Sequence, residues 1–472
     1  MAFPDRELKS GKAHDGNDYI NIKNAHHGNC LEISGLLKVG DKERALRKSY
    51  QIPAELPDRQ QIVRFNRQFV YLLLCACLGK NFNHYGILTG VRPVKLVHQF
   101  MDQGLSAEEV EDRLSNEYLL SLDKAQLLTA VALNNRPFLP RLNANCSKIS
   151  IYIGIPYCPS RCYYCSFPGA ILTNYEQEII PYMDALKKEM QVIGDYIRDQ
   201  RVSIETIYLG GGTPTVLRET ELERIFDLLA AKYVSPVTLE LTVEAGRPDT
   251  LSPSKIKLLQ QAGVSRICIN PQTMNNATLC KIGRKHDQKA VIEAFDWARQ
   301  SGISHINMDL IVGLAGESAC HYENTAREIL KLQPDNITVH TLAVKRGSTM
   351  AELEGKCSDG EKERNVFQGV NFFSQVFTQH GYEPYYLYRQ KYMRSSMENT
   401  GYSLPGNYCV YNIQMIEERQ TIIGMGAGAA SKFVNTGNWR LTSFHNPKNP
   451  AVYCQSIDTL ISRKVDKLRA LN

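Results

Sequence analysis

The segment YIGIPYCPSRCYYCSFPG places Cys158, Cys162 and Cys165 in a C-x3-C-x2-C pattern. Three thiolates on one short loop can hold three irons of a 4Fe–4S cubane, because such clusters are ligated by cysteine sulfur. Structural zinc sites and ordinary electron-transfer clusters take a fourth protein ligand. Here Cys165 is followed by Ser166 and Phe167, so no fourth cysteine is at hand. One iron is then left open to an outside chelate, for which an amine beside a carboxylate is suited. The competing chemistry is a zinc ion completed by a distant histidine.

Further along, YLGGGTPT carries Gly210, Gly211, Gly212 and Thr213. Consecutive glycines let backbone groups come close to a ligand, since no Cβ intervenes. Glu244 ends one apolar β-branched run, Gln272 closely follows the next, and Asp309 falls at the end of a third. Polar side chains at strand ends can bind ribose hydroxyls, a carboxylate or an adenine edge. Arg284, in KIGRKH, can pair with a carboxylate through its planar fork.

The elements that must position these residues alternate strand with helix from residue 148. Candidate strands are 149–155, 206–209, 238–243, 266–270, 305–310 and 337–342, with helices at 175–198, 219–232, 253–262, 289–301 and 322–332. Six strands with helices between them imply a parallel sheet with right-handed crossovers. Either an open barrel of six βα units or a doubly wound sheet follows, with ligands at the carboxyl ends of the strands. Residues 1–147 read as a mostly helical domain with helices near 59–78, 95–101, 107–119 and 123–135, the last two capped by Ser106 and Ser121. Residues 351–472 read as a smaller C-terminal domain: a helix near 362–379, the segment YEPYYLYRQKYMR, the run GMGAGAAS, then closing strands and a last helix.

The chain has 472 residues, 43% hydrophobic and 22% charged, with a formal net charge of +6. That is an ordinary globular composition, too weakly basic for a nucleic-acid binder. Its apolar runs are too short to span a bilayer, and the N-terminus MAFPDRELKSGKAHDG has no apolar signal core. A cytoplasmic protein is the expectation. Ten of the thirteen cysteines are scattered, and they read as small core hydrophobes rather than a disulfide framework.

With YIGIPYCPSRCYYCSFPG, LGGGTPT, RICINPQTMN, MDLIVGL, ITVHTLAVKR, GYEPYYLYRQK and TIIGMGAGAASK placed, the chain resembles the oxygen-independent coproporphyrinogen III dehydrogenases of the radical S-adenosylmethionine (SAM) superfamily, in their HemZ branch. The resemblance implies an α/β fold: a partial (β/α)6 barrel of TIM type over residues 148–350, carrying the cluster on Cys158, Cys162 and Cys165. It implies that Tyr152, Gly211, Glu244 and Ala430 contact the cluster-bound SAM. Tyr164, Gly212, Thr213, Gln272, Arg284, Asp309 and Ala343 would line a second SAM position. The implied reaction converts two propionates of coproporphyrinogen III to vinyl groups in haem biosynthesis. A SAM-derived radical removes a hydrogen beside each propionate, and loss of CO2 with one electron leaves the vinyl. The implied partners are a tetrapyrrole substrate, a flavodoxin- or ferredoxin-type electron donor and an unnamed electron acceptor.

Two positions depart from the dehydrogenase pattern: Gly154 stands where a histidine is expected, and Phe167 where a fourth cysteine is. A haem chaperone and a tetrapyrrole-acting radical SAM methyltransferase therefore stand beside the dehydrogenase. For the substrate, Tyr382, Tyr385, Tyr386 and Tyr388, interleaved with Arg389, Lys391 and Arg394 and joined by Lys345 and Arg346, combine aromatic faces with cations for propionates. An aromatic core with a solvated basic rim is the alternative for that segment.

Overall fold

The computed structural model describes residues 18–52, 59–79, 81, 83–142, 148–165, 169–343, 360–390 and 397–470. The chain divides into two compact units, Met1–Ala130 and Val131–Asn472. The sequence suggests a boundary near 147 and a third unit from 351. In the fold, the helix Leu122–Asn135 straddles the division, and strands between residues 383 and 445 flank both edges of the large sheet.

The first unit opens with an antiparallel sheet that the sequence reading does not foresee: Tyr19–His27, Cys30–Val39 and Lys42–Gln51. Two-residue turns, Gly28-Asn29 and Gly40-Asp41, join the strands, with both glycines at positive φ, as hairpin turns of this length require. Leu31, Ile33, Leu37 and Tyr50 pack on Phe69, Leu73 and Cys77 of the helix Arg59–Leu78. Helices Val94–Asp102, Ala107–Glu117 and Leu122–Asn135 follow. Ser106 caps its helix through a reciprocal box with Glu109, whereas the Ser121 hydroxyl donates to the His84 carbonyl.

In the second unit, six parallel strands lie side by side in chain order: Lys148–Ile155, Ser203–Gly211, Glu240–Glu244, Arg266–Cys268, His305–Val312 and Asn336–Thr341. Helices Tyr175–Asp199, Glu219–Lys232, Pro253–Gln261, Gln288–Ser301 and Ala319–Leu332 connect them. This is the α/β order of repeated βα units, and one continuous core of Ile, Leu, Val and Met fills the space between sheet and helices. Beyond the sixth strand come Asn399–Ser403, antiparallel to it, and then Glu383–Tyr388, antiparallel in turn to Asn399–Ser403. Beyond the first lies Ile422–Met425, parallel to it, then Ala430–Asn435 and Arg440–His445. Because the six central strands are parallel and in order, all their carboxyl ends emerge on one edge of the sheet.

Candidate active site

The cysteine loop leaves the first central strand and is tied down at both ends. Tyr157–Cys158 pairs in parallel with Ala170–Ile171, the Leu172 amide donates to the Cys158 carbonyl at 3.0 Å, and the Tyr163 amide donates to the Ile282 carbonyl at 3.1 Å. The second strand presses its glycines against this loop. A Cβ on Gly212 would lie 2.5 Å from the Tyr157 oxygen and 3.0 Å from Cys158 Sγ. Gly211, at φ +113°, would place one 2.8 Å from the Ile155 oxygen. These glycines are therefore required by strand-to-loop contact, whatever a ligand also does there.

All three cysteines are free thiols and line one cavity of about 720 Å³ at the carboxyl ends of the strands. Thr213 Oγ1 lies 3.4 Å from Cys158 Sγ. Burial raises the Cys158 thiol pKa, and the Thr213 hydrogen bond opposes that rise. Arg247, on the loop after the third strand, reaches Cys162 Sγ at 3.6 Å. Among the described residues no three His, Cys, Asp or Glu side chains converge on a single-ion centre.

Opposite the cysteines stand acids of unlike character. Glu244 sits in the space that Gly210 leaves by lacking a Cβ, which would come 2.7 Å from its Oε2. Burial and the nearby Asp309 charge push its pKa up to about 8, so it carries its proton at neutral pH. Burial acts the same way on Asp309, but His340 and Asn307 outweigh it and hold the carboxyl below its usual range. His340 Nε2 is 3.5 Å from Asp309 Oδ2, and the Asn307 amide donates to Oδ1 at 2.8 Å. Gln272 has φ +69°, a left-handed backbone rare outside glycine, fixed by hydrogen bonds to the Asp309 carbonyl and from the Ile311 amide, each 2.9 Å. Arg284 donates to the Gly246 carbonyl at 2.8 Å and to the Tyr164 hydroxyl at 3.0 Å.

The radical SAM superfamily signature matches residues 152–329. The chain is 39% identical over 473 residues to the oxygen-independent coproporphyrinogen-III oxidase-like protein HemZ of Bacillus subtilis, covering 100% of this chain and 94% of that one. This chain belongs to the radical SAM superfamily, in the group of HemZ, HemN and HemW. The haem chaperone HemW of B. subtilis is 34% identical over 240 residues, 50% of this chain and 62% of its own. Coproporphyrinogen III oxidase (HemN) of Escherichia coli shares the fold at a TM-score of 0.54 and 21% identity, over 70% of this chain and 72% of that one. The family uses a 4Fe–4S cluster and SAM. The residues present fit such a pair: three thiols on one loop, a glycine cradle against Cys158 and, in front, a cavity into which Glu244, Gln272, Arg284 and Asp309 converge.

Twelve of the fourteen residues singled out in the radical SAM sequence line the one cavity: the three cysteines, Tyr164, Gly211, Gly212, Thr213, Glu244, Gln272, Arg284, Asp309 and Ala343. Tyr152 and Ala430 do not. The Tyr152 ring stacks instead with Tyr208 and Tyr411, 6.2 and 6.3 Å away. Ala430 begins the strand after the glycine run and pairs with His445. Asp309 is the fifth residue of an eight-residue strand rather than its last, because the fifth strand extends further than its neighbours. The tyrosine segment is corrected more substantially. Tyr382, Tyr385 and Tyr386 are core residues: the Tyr382 hydroxyl donates to the Pro334 carbonyl at 2.7 Å, the Tyr386 hydroxyl to Thr338 Oγ1 at 3.1 Å, and the Tyr385 hydroxyl accepts from the Asn412 amide at 3.4 Å. They do not form a substrate face, and Gln390 is the part of the segment in the cavity wall. Lys345, Arg346, Lys391 and Arg394 lie outside the described residues, as does Phe167. The sequence reading missed Arg247 and His340; His340 was visible inside ITVHTLAVKR, at the end of the sixth strand.

Proposed function

We propose that the chain is a radical SAM oxidoreductase that converts coproporphyrinogen III to protoporphyrinogen IX by oxygen-independent decarboxylation of two propionates. The observation that carries this reading is the gathering of three free thiols, two acids of opposite protonation and a fixed arginine around one cavity at the strand ends. Cys158, Cys162 and Cys165 would hold the cluster, and the cavity in front of them would hold SAM. When bound, this pair would supply a hydrogen-abstracting radical once an electron donor reduces it, and the substrate would lose CO2 and pass one further electron to an external acceptor.

The chain binds and orients. Glu244, protonated at neutral pH, donates a hydrogen bond while adding no charge near SAM. Asp309, kept ionised beside His340, accepts from an ammonium or ribose hydroxyls. Arg284, held by Gly246 and Tyr164, offers its fork to a carboxylate. A flavodoxin- or ferredoxin-type protein supplies the electron, and a cytoplasmic setting suits both. Among the described residues no helix is long and apolar enough to cross a membrane.

One observation weighs against the dehydrogenase and leaves the haem chaperone as the second reading. A Cβ at Gly154 would already lie 3.3 Å from both the Ala427 oxygen and the Tyr152 ring, so the first strand has little room for the dehydrogenases' histidine.

Anaerobic reconstitution followed by electron paramagnetic resonance (EPR) with and without SAM tests the cluster, and Cys162→Ala should abolish the SAM-responsive signal. Incubation with SAM, reductant and coproporphyrinogen III then separates the activities. Protoporphyrinogen is the expected product. Stable haem transfer without turnover supports the chaperone, and S-adenosylhomocysteine would point to methyl transfer.

A further inference from the structure

Arg247 is a charged group that touches the cysteine triplet at Cys162, and nothing in the motif points to it. It is 3% exposed and its guanidinium is locked on three sides. Nε and Nη2 donate to Asp249 Oδ1 and Oδ2 at 3.0 and 3.1 Å, and Nη2 also donates to Ser160 Oγ at 2.9 Å. Nη1 donates to the Ser160 carbonyl at 3.3 Å and reaches Cys162 Sγ at 3.6 Å. The backbone behind it is fixed as well: the Arg247 carbonyl accepts from the Thr250 hydroxyl at 2.8 Å and amide at 2.9 Å. Asp249 in turn sits 3.5 Å from His286 Nδ1.

So rigid an arrangement does more than brace the loop. With Cys162 ionised as an iron ligand, the contact becomes a charge-assisted N–H···S hydrogen bond. A fixed cation against that sulfur stabilises the more negative, reduced cluster over the oxidised one, and hydrogen bonds to cluster sulfurs are among the levers that set reduction potential. We propose that Arg247 is a tuning and positioning residue, which raises the reduction potential of the cluster through the Cys162 thiolate while Asp249 limits the rise. The inference rests on the radical SAM reading above, and it assigns Arg247 no contact with SAM or substrate.

The test is an EPR-monitored redox titration of the anaerobically reconstituted full chain, alongside its iron and sulfide content. Arg247→Gln should lower the midpoint potential at full iron content with the SAM-responsive signal retained. Arg247→Lys should fall between it and the wild type. Asp249→Asn, which removes the opposing charge, should raise the potential. A purely structural role predicts no such opposition of sign. An unchanged potential in loaded Arg247→Gln overturns the proposal. Should that variant take up no cluster, an unchanged or lowered potential in Asp249→Asn overturns it instead. A wild-type chain that holds no cluster sinks the functional reading itself, which is a different failure.

Discussion

Glu189 is fully buried and Glu244 half-buried at the cavity wall of the same unit, and the protein treats them differently. Glu189, on the long helix Tyr175–Asp199, is surrounded by donors: the Gly426 amide at 2.8 Å, Tyr453 hydroxyl at 2.7 Å, Asn446 amide at 3.2 Å and Lys464 ammonium at 2.5 Å. The last of these is an ion pair with neither side chain exposed. Glu244 has the Gly211 amide and, in place of a cation, the like charge of Asp309. A carboxylate that holds the C-terminal helix to the fold is fully satisfied by the protein; one at the cavity wall is left short of partners, which a ligand can supply. Burial alone therefore does not mark a functional acid. The missing donors do.

Breaking the satisfied member should give the largest effect. Lys464→Met leaves Glu189 buried without its counter-charge, which typically costs about 3–5 kcal/mol. Both tryptophans, Trp297 and Trp439, lie in the second unit, so fluorescence-detected urea unfolding reads that unit alone. A loss under ~1 kcal/mol would mean the remaining donors suffice and the contrast with Glu244 is weaker than drawn.

Glu244→Gln should act with the opposite sign. In the unfolded chain a glutamate ionises above an ordinary pKa of 4.5, whereas folded Glu244 keeps its proton until about 8. Across that window the unfolded state binds fewer protons, so rising pH erodes the stability of the cluster-free protein up to about 8. Allowing for water in the cavity, the accumulated loss is on the order of 2–3 kcal/mol. The glutamine variant lacks this term. It should be the more stable protein at pH 8, with an advantage that vanishes near pH 4.5; parallel stability curves for the two proteins would refute a protonated Glu244.

The cysteine triplet and the strand-end residues were legible because their information is local: spacing on one loop, and a polar residue closing each apolar run. What escaped the sequence depends on partners far along the chain. Arg247 meets Cys162 across 85 positions, and Lys464 meets Glu189 across 275. The tyrosine segment announced aromatic rings without saying which side they face, and the fold turned Tyr385 and Tyr386 inward. The first antiparallel sheet is hidden by strands such as KERALRKSYQ, half of it charged, although Gly28-Asn29 and Gly40-Asp41 were readable hairpin signals.

His340→Gln is the finer probe, since it changes the partner facing Asp309 while leaving both acids in place. Losing the imidazole removes a hydrogen-bonding partner that keeps Asp309 ionised despite burial, so its pKa should climb toward the ordinary carboxylate range or above. If ionised Asp309 is the SAM contact, SAM affinity measured by calorimetry across pH 5 to 8 should begin to fall at a higher pH in the variant than in the wild type. At neutral pH the loss should be modest, about 1 kcal/mol or several-fold in Kd. Glu244 adds a cross-check. Its raised pKa owes part of the shift to the Asp309 charge, so a partly neutralised Asp309 should let Glu244 ionise at lower pH. The stability loss with rising pH should then end earlier in His340→Gln than in the wild type. An unmoved acid limb for SAM together with an unmoved stability profile would mean that the two acids do not sense each other through the cavity, and that Glu244 is held protonated by burial alone.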